Sequence, residues 1–122
     1  MRVAMPRFGE QVAPCFGYAA TITIFTIGRG KVIDEVDFCL QSNDILDRFR
    51  LLRDQQVGAL ICGGLEESLE DLLQANDVRV ISWVSGRVDA LLEKFLRGEL
   101  VAGTARHGNV TKNTECTSRE GR

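Results

Sequence analysis

Ala59-Leu60-Ile61-Cys62-Gly63-Gly64 is an apolar run that stops at a thiol and two glycines, immediately before the acidic segment Leu65-Glu66-Glu67-Ser68-Leu69-Glu70-Asp71-Leu72-Leu73. The pattern predicts a buried strand, a tight turn and a helix. A short apolar run with helix-type periodicity on both sides suits an interior parallel strand covered on both faces. In such sheets ligands bind off the carboxyl ends of the strands, where Cys62, Gly63 and Gly64 fall. Paired glycines can adopt positive φ and bring bare N–H groups toward an anion, beside a helix N-terminus with its own unpaired donors. The turn is therefore a candidate binding floor. The plainer alternative makes Gly63-Gly64 a compact connection and Cys62 a small buried hydrophobe.

Upstream of this stretch, Ser42 is placed to cap a helix whose apolar residues Ile45, Leu46, Phe49 and Leu52 follow the 3.6-residue period. Arg48, Arg50 and Arg53 are assigned to its solvated side, and Val57-Gly58 ends it. Downstream, Leu65, Leu69, Leu72 and Leu73 form one helix stripe, while Glu66, Glu67, Glu70 and Asp71 complement the helix dipole. Asn76-Asp77 breaks that helix. Residues 78–82 form another short apolar strand, which ends in Trp83-Val84-Ser85-Gly86, a second strand-to-helix turn. Ser85 is the expected cap of a helix holding Val88, Leu91, Leu92, Phe95 and Leu96, closed by Gly98. Two such turns after adjacent parallel strands would set Gly63, Gly64, Ser85 and Gly86 along one edge.

At the start of the chain, residues 2–5 read as a short strand that Pro6 stops, because proline has no N–H for a ladder. A glycine-punctuated loop over residues 7–18 carries Phe8, Phe16, Tyr18 and Cys15, a composition that suggests a loop folded over something. Residues 20–27 and 31–38, either side of Gly28-Arg29-Gly30, make a β-hairpin, with Cys39 beyond it as a structural or surface thiol. The resulting order of elements predicts an α/β sandwich on a mixed sheet of five strands, with an antiparallel N-terminal part and βαβ crossovers. Residues 1–100 are expected to form a single domain, and residues 101–122, polar and without period, a mobile tail.

With 122 residues, 44% of them hydrophobic, the chain supports one domain with a real core. Its formal net charge of -2 comes from 15 basic and 17 acidic residues that are well mixed, which argues against nucleic acid as partner. No apolar run has the length to span a bilayer or the form of a signal peptide, so a cytoplasmic protein without membrane contact is expected. Cys15, Cys39, Cys62 and Cys116 form no Cys-x-x-Cys pair and are expected to be reduced thiols.

Pro14-Cys15-Phe16-Gly17 ahead of the hairpin, Ile61-Cys62-Gly63-Gly64, and Val84-Ser85-Gly86-Arg87-Val88-Asp89 before Leu96-Arg97-Gly98-Glu99-Leu100 stand in a specific order. Together they resemble the dinitrogenase iron-molybdenum cofactor biosynthesis family, the group of NifX, NafY and the NifB C-terminal domain. The resemblance spans residues 1–100. It implies a ribonuclease H-like three-layer fold and non-catalytic binding, carriage or insertion of a metal-sulfur cluster, whether iron-sulfur, iron-molybdenum or another molybdenum-sulfur type, held transiently. The expected partner is a cluster donor or acceptor protein, and the chain is expected to be a monomer or weak homodimer.

Soft thiolates are the natural anchors for such a cluster, which makes Cys15 and Cys62 the candidate metal ligands, Cys15 first. Backbone amides and a cation, Arg7 or Arg87, would hold its sulfides, so that Phe16, Gly17, Gly63, Gly64, Ser85, Gly86 and Arg87 complete the candidate site. Relatives often carry histidine where this chain has Cys15, and a small residue where it has Trp83. Here Trp83 either lids the site or packs against it. Metal-binding tails of relatives reduce to His107 and Cys116.

Other classes fit less. Strand 2–5 carries no carboxylate for two-metal nuclease chemistry. A regulatory module binding a small anion or nucleotide at Gly63-Gly64 is the alternative, although phosphate-loop fingerprints are absent. A cysteine enzyme built on Cys15 stands behind it, because the sole histidine, His107, lies in the expected tail.

Overall fold

The computed structural model describes residues 1–103. In chain order the elements are strand β1 (Arg2–Phe8), β2 (Gln11–Val12), a 3-10 turn (Phe16–Tyr18), β3 (Thr21–Gly28), β4 (Lys31–Cys39), helix α1 (Ile45–Asp54), β5 (Ala59–Ile61), α2 (Glu67–Ala75), β6 (Arg79–Ile81) and α3 (Val88–Leu96). The sheet is six-stranded and mixed, in the order β4-β3-β1-β5-β6, with β2 paired to β1. β1, β5 and β6 run parallel, as βαβ crossovers require, and β3 and β4 add an antiparallel flank. Arg29 and Gly30 both take positive φ, 55° and 75°, the two-residue turn whose twist matches a right-handed hairpin.

Alternation along the inner strands splits the core. Val3, Met5, Ala59 and Ile61 face α3 through Leu91 and Leu92. Ala4, Leu60 and Cys62 face the opposite layer with Leu52 of α1 and Leu69 and Leu73 of α2. β5 is therefore buried throughout, as its uninterrupted apolar run requires.

Several expectations are corrected. Pro6 does not stop β1, which continues to Phe8 and pairs Pro6 with Ile22. The Pro6 carbonyl points away from β3, accepting from Ala13 N–H at 2.9 Å, so the missing N–H falls on the side where β5 pairing ends at Ala4. The ladder to β3 loses nothing. Within the loop over residues 7–18, Gly9-Glu10 turns the chain back into β2, a sixth strand. The cap of α1 is Asp44, whose carboxylate accepts from Leu46 N–H at 2.9 Å, while Ser42 accepts from Asp44 N–H. Arg87, not Ser85, occupies the cap position of α3.

The largest departure is Arg48, which is completely buried while Arg50 and Arg53 remain exposed. Gly98 does close α3, with φ 74°. Among the described residues no helix is long and apolar enough to cross a membrane. Gly103 N–H donates to Ser82 O at 2.9 Å, and the rest of the expected tail, with His107 and Cys116, lies outside the described residues.

Candidate functional site

The carboxyl ends of β5 and β6 do form one edge, but the chain itself occupies it. From β2 the backbone passes over Gly63 and Gly64: Gly64 N–H donates to Pro14 O at 2.6 Å and Phe16 N–H to Gly64 O at 2.9 Å. A parallel bridge joins Cys15 to Gly64. The loop is pinned a second time where Val12 N–H donates to Gly86 O and Val88 N–H to Glu10 O.

This overturns the anion-floor expectation for Gly63-Gly64. Neither glycine has positive φ, and a Cβ on Gly63 would lie 2.6 Å from both Ala13 O and Pro14 O. The glycines make room for a strand-like segment rather than for a ligand, and the Gly64 amide is already committed. Trp83 packs rather than lids. It is 6% exposed, with its ring edge over Gly64 and its backbone at φ 64°.

The two candidate cations are also engaged. Arg7 lies on the α3 face, where its Nε donates to Gly9 O at 2.7 Å and Nη1 to Thr23 Oγ1 at 3.3 Å. The Thr23 hydroxyl in turn donates to Asp37 at 2.6 Å. Arg87 pairs with Glu10 and Asp89, tying the β1-β2 turn to the start of α3. Its hydrogen bonds to those carboxylates raise its pKa and lower that of Asp89. Because the Asp89 shift is downward, the contribution of this exposed cluster holds above the ordinary carboxylate range and is lost as pH falls through it.

Cys62 points into the core beside Ala4, Phe16 and Leu60 with no exposed surface. Burial, and secondarily the charge of Glu70, pushes its thiol pKa far up. Since the unfolded thiol ionises first, stability falls as pH rises above the ordinary thiol range. In the native protein at pH 8, iodoacetamide should modify the exposed Cys39 and leave Cys62 intact by peptide mass mapping. Equal labelling would show that Cys62 is reachable.

Cys15 is different. Although 2% exposed, it lines a cavity of about 410 Å³ whose described walls also include Phe8, Pro14 and Tyr18. Cys39 and Cys62 are free thiols, whereas Cys15 is disulfide-bonded, against the expectation of reduced thiols throughout. Phe16 is buried and Gly17 half-buried in the turn that follows. The structure thus gathers Cys15, Phe16, Gly17, Gly63 and Gly64, with Ser85, Gly86 and Arg87 at the second pin. Arg7 and Cys62 belong to opposite faces of the sheet. Residues that the sequence did not single out for the site are Glu10, Pro14 and Arg48, the last donating to Phe16 O and Ala19 O.

The family model described as dinitrogenase iron-molybdenum cofactor matches residues 1–98. No curated protein matches by sequence. Among solved structures, one described as PH0822 superposes with a TM-score of 0.78 at 19% identity, covering 85% of this chain and 96% of that one. The Methanocaldococcus jannaschii protein mj0327 gives 0.70 at 20% identity, covering 85% of this chain and 95% of its own. The apo form of the orange protein from Desulfovibrio gigas gives 0.69 at 19% identity, covering 84% and 92% respectively. At these identities the likeness establishes a shared fold.

Proposed function

We propose, for a chain that belongs to the dinitrogenase iron-molybdenum cofactor family, that it binds an iron-sulfur or molybdenum-containing metal-sulfur cluster and passes it between a donor and an acceptor protein without chemical turnover. The cluster is cargo. The observation that carries this is Cys15 in the wall of the 410 Å³ cavity, between Phe8, Pro14 and Tyr18, at the carboxyl edge of the parallel strands. A soft thiolate ligates such a cluster directly, and the apolar walls shield its sulfides from water. Among the described residues no group of three or more His, Cys, Asp or Glu side chains could hold a metal ion. Because Cys15 is disulfide-bonded, it ligates only after reduction, and loading belongs to reducing conditions. Cys62 is not needed as a second ligand, since ionising it would place a charge in the core.

The test is anaerobic reconstitution of the reduced protein with iron, sulfide and molybdate, followed by metal analysis and visible spectroscopy. Wild type should take up stoichiometric metal with a charge-transfer band. Cys15→Ala should lose roughly tenfold or more in retained metal, and Cys62→Ala should load like wild type. Full loading of Cys15→Ala would remove the thiolate anchor from the proposal.

A further inference from the structure

Arg48 presents a problem that stability does not solve. Its guanidinium is 0% exposed, yet among the described residues it forms no ion pair, and burial lowers its pKa. Its Nε is buried without a hydrogen-bond partner. A buried charge with neutral partners is costly, and an apolar side chain would fill the same face of α1 beside Ile45 and Leu52 at no such cost.

What Arg48 does reach is specific. Nη1 donates to Phe16 O at 3.3 Å and to Ala19 O at 2.5 Å, and Nη2 to Ser42 O at 3.1 Å and Asn43 Oδ1 at 3.4 Å. The guanidinium carbon lies 6.0 Å from the centroid of the Phe16 ring. The fork therefore ties the turn that follows Cys15 to the lead-in of α1. That turn is weak on its own. Its internal bonds, Tyr18 N–H to Cys15 O and Ala19 N–H to Phe16 O, are both long at 3.3 Å. Phe16 N–H to Gly64 O is a shorter bond, at 2.9 Å, but it fixes only the start of the turn.

We propose that Arg48 is a positioning residue for Cys15: by gathering the carbonyls of Phe16 and Ala19 it holds the Cys15–Ala19 turn in the single conformation that keeps Cys15 on the cavity wall. This role rests on the cluster-carrying function proposed above, but the mechanical part stands on the geometry alone. The short charge-assisted bond to Ala19 O outweighs the long neutral bonds within the turn, and the longer one to Phe16 O adds to it, so the turn follows the guanidinium.

The test compares wild type, Arg48→Met and Arg48→Lys by residue-resolved amide hydrogen exchange, and by the same anaerobic loading with iron, sulfide and molybdate. In Arg48→Met the amides of Phe16, Tyr18 and Ala19 should exchange about tenfold faster while those of Leu60 and Ile61 keep their protection, and retained metal should fall with the turn. Arg48→Lys should stand between, because one ammonium keeps the charge but does not span both segments.

Unchanged exchange at the turn overturns the proposal. So does a loss of protection spread evenly over the sheet, which would make Arg48 a general stabiliser. If Arg48→Met does not fold, Arg48→Lys decides: turn amides as protected as in wild type overturn the proposal, and selective loosening supports it. Wild type that takes up no metal removes the carrier function, while the exchange comparison still decides whether Arg48 holds the turn.

Discussion

Gly63→Ala should lower the thermal midpoint by roughly 10–20 °C and release the Cys15 loop, taking about 2–3 kcal/mol from stability. The new Cβ would stand 2.6 Å from Ala13 O and from Pro14 O, and 2.9 Å from the Pro14 carbonyl carbon. All three atoms are backbone, so no rotamer change relieves the overlap, and the loop has to lift. Lifting it breaks the Gly64 N–H to Pro14 O and Phe16 N–H to Gly64 O bonds. Gly64→Ala is the control. Its Cβ meets Pro14 O at 3.1 Å and the Trp83 ring at 3.3 Å, contacts that shift by tenths of an ångström and cost about 1 kcal/mol or less. Thermal unfolding followed by circular dichroism separates the two. Equal midpoints for Gly63→Ala and Gly64→Ala would mean that the loop does not press on Gly63.

The consequence for the site is that a glycine pair at a strand-to-helix turn has two physical uses, and the sequence does not distinguish them. Ile61-Cys62-Gly63-Gly64 announced a strand, its end and a close backbone approach. Whether the approaching group was a ligand or the chain's own Pro14 depends on where residues 9–16 go, a long-range fact with no local signal. The helical layers were legible because they rest on a period: the 3.6-residue repeat found Leu69, Leu73, Leu91 and Leu92. Strand β2 was not, since two residues carry no period and are held by long-range partners, Arg7 and Phe8 of β1 and the Gly86-Arg87 turn. Arg48 is instructive in another way. It sits three residues after Ile45 and four before Leu52, squarely on the apolar stripe of α1. Its position argued for burial while its charge argued for solvent, and the carbonyls of Phe16, Ala19 and Ser42 decided between them. Cys15 and Cys62, indistinguishable as thiols in the sequence, are separated by the same loop: one lines a cavity and the other lies under β5's helical cover.

Trp83 carries the second large effect, and the order of two variants reveals its cause. The ring is 6% exposed and rests on Gly64, so Trp83→Ala should cost about 3–5 kcal/mol through lost burial and the cavity left behind. Its backbone, however, is held at φ 64°, where a side chain is strained. Trp83 N–H to Gly63 O at 2.9 Å and Val84 N–H to Cys62 O at 3.2 Å keep it there. Alanine inherits that strain and glycine does not. Trp83→Gly should therefore be more stable than Trp83→Ala by about 1 kcal/mol, the reverse of the usual ranking of the two residues within a strand or helix. Chemical denaturation of both variants supplies the comparison. If Ala is the more stable, the left-handed turn is not enforced by these two hydrogen bonds and relaxes once the ring is gone. If Gly is the more stable, the two hydrogen bonds hold the left-handed turn without the ring, and in the native protein the packing of the indole on Gly64 offsets a strain that any side chain at this position bears.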